Sequence, residues 1–195
     1  MPTGVALRDP RQHLFDAAVR VLIRAGATGL TSRAVTVEAG VAKGVLHRHF
    51  ADFDAFLTEL VLDRIARVHA QAADLRDTAG TGAVADNLTH ALETLFEPVM
   101  VAVVVLVIAR DELRTRLRAA GTARFPLVGE GTAMIAGYLS AERDLGRIAA
   151  GADVDTLAPT LIGATHLLFT GGSEEPPTRG AVHKVVATVL AGVLR

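Results

Sequence analysis

The stretch Thr31–Phe50, TSRAVTVEAGVAKGVLHRHF, constrains the fold of this chain more than any other segment. Gly40 can adopt the positive φ that a sharp break between two helices requires. Thr31 can cap the first helix, because its hydroxyl can accept from an otherwise unpaired backbone N–H. A short turn containing glycine between two helices is typical of a helix-turn-helix unit. The sequence therefore predicts two short helices joined at Gly40.

The second of these helices is predicted to present one face to the core and the other to solvent. Leu46 and Phe50 are four residues apart, so they share one face and should point inward. Lys43, His47 and Arg48 then lie around the outer surface. Cations and donors on a helix that is anchored from behind can enter a DNA groove without exposing the core. The stretch therefore predicts a recognition helix.

The motif AGVAKGVLHRHF resembles the signature of the TetR family, commonly AGVSKGTLYxHF. The flanking segments match in length and pattern, so the resemblance covers about residues 11–68. Three positions depart from the family pattern. Ala42 replaces a serine that usually caps the recognition helix, His47 replaces a tyrosine, and Phe53 stands where a lysine commonly approaches a phosphate. These departures imply a lower DNA affinity or an unusual operator.

The resemblance implies an all-α fold with two functional parts. We expect a helix-turn-helix domain at residues 1–52, a connecting helix at about 53–75, and a helical effector-binding and dimerisation domain at 76–195. The predicted DNA-binding residues are Thr31, Ser32, Arg33, Ala42, Lys43, Gly44, Val45, His47, Arg48 and His49.

The distribution of charge supports this division. Residues 1–50 carry seven Lys/Arg and three Asp/Glu, a net charge of +4, whereas residues 51–195 carry 13 and 18, a net charge of −5. A basic head on an acidic body suits a nucleic-acid-binding module joined to a part that does not touch DNA. Chance asymmetry of solvated faces is the alternative.

Composition sets the remaining limits. The chain has no cysteine, which excludes disulfides and thiolate metal sites. The N-terminus has no apolar signal region. The longest apolar run, Val99–Ala109, is shorter than the roughly 20 residues of a membrane span. It predicts a helix buried on all sides at the centre of a bundle, with a buried strand as the alternative. A cytoplasmic protein without a membrane partner is the simplest interpretation.

Several other segments give local predictions. Residues 1–9 should form an arm whose Arg8 could reach DNA, and Gly171–Gly180 should be a loop. Asp111–Ala120 should be a surface helix. Its arginines could form a second DNA site, although a solvated face is the simpler interpretation. Gly121–Glu130 is ambiguous, and the next helix should span about Gly131–Arg143.

The resemblance also implies a homodimer formed by the last two long helices. One recognition helix covers half a site, and a dimer places two of them about 34–36 Å apart on a near-palindromic duplex. Small residues on the predicted helices would permit close packing between subunits; they are Ala158, Gly163, Ala164, Ala187, Ala191 and Gly192. An intramolecular core is the alternative.

An effector pocket in the body is a further implication of the resemblance. Its expected ligand is small and mainly hydrophobic, because the candidate residues are apolar. They are Leu92, Phe96, Met100, Val103, Val104, Val107, Phe125, Met134, Tyr138 and Phe169, with His90, Arg110 and His166 as polar handles. Each could instead be ordinary core. We expect no cofactor and no metal.

Two other functional classes were weighed. An enzyme is disfavoured because the sequence has no nucleophile elbow, no phosphate-binding glycine loop and no HExxH motif. His47 and His49 are two residues apart, so they point in different directions on a helix. A helical ligand-binding dimer that has lost specific DNA recognition remains open, because Ala42, His47 and Phe53 depart from the family pattern.

Overall fold

The computed structural model describes residues 9–171 and 176–195 and is all α-helical, as predicted. Residues 1–8 of the predicted arm lie outside the described residues, as do residues 172–175 of the predicted loop. The named helices of the described part are α1 Pro10–Gly29, α2 Ser32–Glu38, α3 Gly44–His49, α4 Phe53–Asp77, α5 Val84–Leu95, α6 Pro98–Ala109, α7 Asp111–Ala119, α8 Val128–Asp144, α9 Val154–Thr170 and α10 Arg179–Val189.

Short polar side chains start three of the long helices. The carboxylates of Asp9, Asp52 and Asp153 accept from backbone N–H groups in the following turn at distances of 2.7–3.2 Å. Pro10 and Pro98 occupy first-turn positions, where a missing N–H costs no helical hydrogen bond. Aspartate caps and first-turn prolines thus fix the starts of α1, α4, α6 and α9.

Two helix boundaries differ from the predicted ones. The sequence favours an end of the first helix at about Ala25, where Gly26-Ala27-Thr28-Gly29 begins; residues 10–29 are instead continuous by hydrogen bonding, although Gly26 has φ +66° and interrupts the helical geometry. The ambiguous segment resolves into a loop followed by α8, which begins at Val128, three residues before the predicted start. Leu127, at that start, is buried and has φ +70°.

The apolar run Val99–Ala109 forms a helix, α6, and not a strand. The prediction that this helix is buried on all sides is wrong. Val103 and Leu106 are completely buried, but the side chains of Val105 and Ile108 are 51% and 64% exposed. Among the described residues, no single helix is long and apolar enough to cross a membrane, and only the bent pair α5 with α6 passes that test jointly, by length and composition alone.

The chain divides into two compact units. The first contains the chain up to Asp63 together with Val101–Gly121, and the second contains Arg64–Met100 with Thr122–Arg195. Two of the three boundaries fall inside helices, α4 and α6, and the third, after Gly121, falls in the loop between α7 and α8. The functional division expected from the sequence, a DNA-binding part and an effector-binding part, stays a prediction.

The first unit is built around the helix-turn-helix. α1 packs on α2, and α2 packs on α3. The buried side chains of α1 are Leu14, Phe15, Ala17, Ala18, Val21 and Leu22. They follow helical spacing and form one apolar stripe. This stripe supports the two short helices, which are too short to be stable alone.

The second unit is a bundle of α5, α8, α9 and α10 with the C-terminal part of α4. α8 packs on α9 and α5, and α10 packs on α5 and α9. Gly131 permits the close approach of α8 to α5, because a Cβ there would lie 2.8 Å from a methyl group of Leu95. The absence of a side chain at Gly131 thus lets Leu95 of α5 pack directly against the backbone of α8.

Candidate nucleic-acid interface

The turn between α2 and α3 is formed by local hydrogen bonds. The Ala34 N–H donates to Thr31 Oγ1 at 3.1 Å and caps α2. Gly40 has φ +65°, and the Val41 N–H beyond it donates back to the Thr36 carbonyl at 3.0 Å. A residue with a side chain would be strained at Gly40. The predicted cap and turn are therefore confirmed.

Two side chains anchor the recognition helix α3 to the core. Leu46 is completely buried and Phe50 is 3% exposed, as their spacing predicted. The Phe50 ring lies 5.8 Å from the ring of Phe15 and 5.0 Å, edge-on, from the ring of Phe56. Such aromatic pairs stabilise a core beyond the area that they bury. The inner face of α3 is therefore fixed by a small aromatic cluster.

The outer face of α3 carries two permanent cations, Lys43 and Arg48, beside the imidazoles of His47 and His49. Lys43, His47 and Arg48 are exposed, and His49 is half-buried. Within residues 9–171 and 176–195, none of these side chains forms an ion pair with a carboxylate. Unpaired exposed cations remain available to phosphate oxygens and base edges.

The other predicted DNA-binding residues flank this face. Thr31, Arg33, Ala42 and Gly44 are exposed, whereas Ser32 and Val45 are half-buried. The structure thus brings the predicted set together on the two helices of one motif. Their individual contacts with DNA stay predictions.

The N-terminus of α3 has no side-chain cap. Lys43 occupies the N-cap position, and its side chain makes no capping hydrogen bond. The preceding residue, Ala42, contributes only its carbonyl, which accepts from the Val45 N–H at 2.9 Å. A helix start normally gains about 1 kcal/mol from a Ser, Thr, Asn or Asp cap. The start of α3 is therefore less stabilised than that of α2.

Phe53, which stands at the family's lysine position, has a structural role. Its ring stacks on Phe56 at 5.6 Å, and the guanidinium carbon of Arg110 lies 5.7 Å from its centroid. Arg110 also donates to the Leu30 carbonyl at 3.1 Å and lies 3.6 Å from a carboxylate oxygen of Asp54. Arg110 is therefore engaged inside the first unit and is not the polar ligand handle that the sequence suggested.

Two of the three arginines of α7 are paired with carboxylates, which weakens the case for a second DNA site there, while Arg118 is exposed and, within the described residues, donates only to the Thr115 hydroxyl. Arg116 donates two hydrogen bonds to Asp52, at 2.9 and 3.1 Å, and one to Glu112 at 2.9 Å. Arg114 pairs with Asp111. Hydrogen bonds from Ala55 and then Arg116 hold the pKa of the Asp52 carboxyl below its usual value of 3.8.

Glu38 joins α2 to α1 by two ion pairs that the sequence analysis did not identify. Arg20 and Arg24, one helical turn apart on α1, each donate to Glu38 at 2.8 Å. These two hydrogen bonds, first from Arg20 and then from Arg24, lower the pKa of the Glu38 carboxyl below 4.5. The i,i+4 spacing of the two arginines indicates that they share one face of α1. It does not identify Glu38, 14–18 residues away, as their common partner.

The second unit contains a cleft of about 280 Å³. The end of α4, α5 and α8 line it, with apolar contributions from Leu75, Ala91 and Met134. Its polar lining residues are Gln71, Asp74, Thr78, Asn87, His90 and Thr94. Of the candidate effector residues, Met134 and the polar handle His90 lie in this lining.

The remaining effector candidates do not converge on the cleft. Leu92, Phe96 and Tyr138 are buried core residues of the second unit, and Phe125 is 62% exposed. The ring of Phe96 lies against His166 and Phe169, at 6.1 and 5.5 Å. Met100 belongs to the second unit, while three α6 candidates belong to the first, namely Val103, Val104 and Val107. Their predicted role in ligand binding remains untested.

A buried polar network lies behind the cleft. The Tyr138 hydroxyl donates to Glu142 at 2.6 Å and accepts from Asn87 at 2.9 Å, and Asn87 itself lines the cleft. Glu142 is completely buried and lies 3.3 Å from Arg147. Burial, with the hydrogen bond to Glu142, raises the pKa of Tyr138 to about 12. The network joins α5 to α8 at one end of the cleft.

The geometry of the first unit, with its capped α2, glycine turn and anchored basic α3, defines a helix-turn-helix protein. The comparisons with known proteins agree. Residues 14–60 match the family model described as bacterial regulatory proteins, tetR family. This N-terminal domain belongs to the TetR family, and the chain as a whole has the fold of TetR-family regulators.

Three solved structures illustrate the shared fold. A TetR-family transcriptional regulator from Mesorhizobium loti is 17% identical, with a TM-score of 0.68 over 93% of each chain. SmeT, the repressor of the Stenotrophomonas maltophilia multidrug efflux pump SmeDEF, is 17% identical, with a TM-score of 0.66 over 96% of this chain and 92% of SmeT. FadR from Bacillus subtilis, solved with stearoyl-CoA, is 16% identical, with a TM-score of 0.63 over 93% and 98%. No curated protein sequence matches the chain.

Proposed function

We propose that this chain is a transcriptional regulator that binds a near-palindromic operator as a homodimer. It acts as a repressor in the cytoplasm, without catalytic activity, and a small, mainly hydrophobic effector releases it from DNA. The observation that carries the proposal is the outer face of α3. Lys43, His47 and Arg48 are exposed there without carboxylate partners in the described part of the chain, while Leu46 holds the helix from behind.

Related proteins support the repressor and effector parts of the proposal. SmeT is a repressor, and the FadR structure contains an acyl-CoA. In a repressor that its effector releases from DNA, bound effector lowers the affinity for the operator. Bound operator lowers the affinity for the effector by the same factor, because the coupling free energy is reciprocal.

DNA recognition can be tested without knowing the operator. The full-length protein is used to select duplexes from a random 30-base-pair pool over several rounds of gel shift. We expect enrichment of a site with approximate twofold symmetry, and an affinity that falls steeply with salt because cations replace counterions. Failure to enrich any sequence at low salt would contradict specific DNA recognition.

One face of α9 is the best candidate for the dimer interface. Pro159, Gly163 and Leu167 follow one another at intervals of four and are all exposed, Leu167 by 70%. A Cβ added at Gly163 would meet nothing within 4 Å, so this face is open in the single chain. An exposed apolar helix face with a small residue at its centre suits a close helix–helix contact.

Five of the six residues expected to permit close subunit packing divide into two groups, and the sixth, Ala164, is half-buried. Ala158 is completely buried within the second unit, so it serves the intramolecular core. Gly163, Ala187, Ala191 and Gly192 are exposed and remain available to a partner subunit.

The interface is tested by Leu167→Glu, with Leu145→Glu as the matched control. Both leucines belong to the second unit and are exposed, by 70% and 57%. A buried, unpaired carboxylate is strongly unfavourable, so we expect Leu167→Glu to yield monomers by light scattering and Leu145→Glu to remain dimeric. A wild-type monomer at micromolar concentration would contradict the proposed dimer.

The effector site is assigned to the cleft between α4, α5 and α8. A panel of medium-chain fatty acids and their thioesters is tested for an increase in melting temperature and for release of the selected duplex. Binding to the native state alone raises stability by RT ln(1 + [L]/Kd), so a saturating ligand gives a measurable shift. Ala91→Trp, which narrows the cleft, should abolish both effects, and Ala119→Trp on the exposed surface of α7 should abolish neither. Retention of both effects in Ala91→Trp would place the effector elsewhere.

A second candidate function is a helical ligand-binding dimer without specific DNA recognition. The uncapped start of α3 and the inward role of Phe53 favour it. The duplex selection separates the two functions, because this alternative expects effector binding with no enriched sequence.

A further inference from the structure

Two backbone carbonyls in the recognition motif receive their hydrogen bonds from side chains of α1. The Ala39 carbonyl lies at the C-terminal end of α2, and the His49 carbonyl lies at the C-terminal end of α3. Carbonyls in the last turn of a helix lack intrahelical partners. In residues 9–171 and 176–195, no backbone N–H donates to either oxygen outside the helical ladders. Both must therefore be satisfied by side chains or by water.

Side chains from the first turn of α1 donate to both carbonyls. His13 Nε2 lies 2.8 Å from the Ala39 oxygen and donates to it, and Arg11 Nη1 donates to the His49 oxygen at 3.3 Å. Arg11 is itself fixed, because its guanidinium lies 4.5 Å above the Phe50 ring and pairs with Glu59. One helical turn of α1 thus holds the C-terminal ends of both recognition-motif helices.

This arrangement compensates for the way in which α3 is anchored. Leu46 and Phe50 lie one above the other on a single stripe, and α3 has only six residues. A short helix held along one stripe can rock about that line. The Arg11 hydrogen bond at the end of α3 opposes such rocking, and the His13 hydrogen bond fixes the end of α2 from which the turn to α3 begins. Recognition of base edges needs side chains held to within about 0.5 Å.

We propose that Arg11 and His13 are positioning residues for DNA recognition. They hold the ends of α2 and α3 and so set the angle at which Lys43, His47 and Arg48 meet the duplex. This inference rests on the proposed DNA-binding function, but it also makes a prediction that needs no DNA.

His13 provides the cleaner test, because Arg11 also packs on Phe50 and pairs with Glu59. His13→Leu removes the donor and keeps an apolar body, whereas His13→Gln keeps an N–H at a similar reach. Gln12→Leu is the matched control, because Gln12 neighbours His13 but donates to Asp16 of its own helix. All variants are made in the full-length protein.

The first measurement compares affinity for the selected duplex with affinity for a scrambled duplex of the same composition. We expect His13→Leu to lower specific affinity about fivefold to tenfold, the equivalent of one hydrogen bond, and to leave non-specific affinity within about twofold. His13→Gln should recover specific affinity, and Gln12→Leu should not change it. An equal loss on both duplexes, or no loss on either, would overturn the proposal.

The second measurement is hydrogen–deuterium exchange without DNA, well below the melting temperature. We expect residues 41–50 to exchange faster in His13→Leu, with α4 unchanged and His13→Gln close to the wild type. Faster exchange throughout the first unit would show a merely structural role and would overturn the proposal, as would unchanged exchange at residues 41–50. If the wild type selects no duplex, the proposed function fails, and this measurement still decides whether His13, through the end of α2, positions the turn and α3.

Discussion

The first unit contains two short helices with several basic residues, α3 and α7, that differ in the partners of those residues. Both bury leucines completely, Leu46 in α3 and Leu117 in α7. In α7, Arg116 is held by Asp52 and Glu112 and Arg114 by Asp111, so only Arg118 of this helix is exposed without a carboxylate partner in the described part of the chain. In α3, the exposed cations have no carboxylate partner in the described part of the chain.

The difference shows that the number of basic residues on a helix does not identify a DNA surface. A guanidinium bound to two carboxylates must lose both before it can reach a phosphate, and the surrounding negative charge repels the duplex. An exposed cation without a carboxylate partner can contact a phosphate without first breaking an ion pair. Partners, and not composition, therefore separate a recognition helix from a supporting helix.

The largest expected effect tests whether the two helices are anchored equally. Leu46→Ala and Leu117→Ala should each lower the free energy of unfolding by about 2–5 kcal/mol, because each leaves a cavity at a fully buried position. Chemical denaturation monitored by circular dichroism measures the loss. If Leu46→Ala costs less than about 0.5 kcal/mol, α3 is not held by the core, and the comparison fails.

The second prediction compares the contributions of the outer faces of α3 and α7 to DNA binding. Lys43→Ala should weaken binding to the selected duplex about tenfold, within the range for a lost groove or phosphate contact, and should leave the melting temperature nearly unchanged. Arg118→Ala, at an exposed position of α7, should change neither. Equal losses of affinity in the two variants would mean that α7 also contacts DNA, and a large loss of stability in Lys43→Ala would make Lys43 structural.

The smallest effect concerns the ion pairs that position α2. Since the pKa of Glu38 is lowered in the folded state, its charged form stabilises the fold above the unfolded pKa of 4.5, and this stability is lost as the pH falls through the folded pKa. The melting temperature of the wild type should exceed that of Glu38→Gln at neutral pH, and the difference should shrink as the pH falls from 4.5 through the lowered pKa of the folded state, and also in high salt. A difference that grows on acidification would contradict this assignment.

Much of the helix-turn-helix could be predicted from sequence because its signals are local. The Thr31 cap, the Gly40 turn and the inward pair Leu46 and Phe50 each depend on residues within a few positions of one another. The partners of Arg110 and Arg116 could not be predicted, because Asp54 and Asp52 lie more than 50 residues away. Sequence spacing contains no information about that pairing.

The apolar run in α6 failed as a prediction for a different reason. A helix that is almost entirely valine, leucine and isoleucine has no polar face, so its pattern cannot indicate which side meets solvent. The structure exposes Val105 and Ile108 because the neighbouring elements cover only part of the helix. The effector candidates were harder still, since a pocket depends on where packing leaves space, and apolar side chains such as Leu92 fill the core.

The hydrogen-bonded Tyr138 determines what the intrinsic fluorescence of this protein reports. The chain contains no tryptophan and a single tyrosine, so its intrinsic emission comes almost entirely from one ring in the second unit. A thermal melting curve followed by tyrosine fluorescence therefore measures the unfolding of the second unit and does not detect the unfolding of the helix-turn-helix. A tryptophan introduced into the aromatic cluster, for example at Phe15, would make the first unit visible and reveal whether the two units melt together.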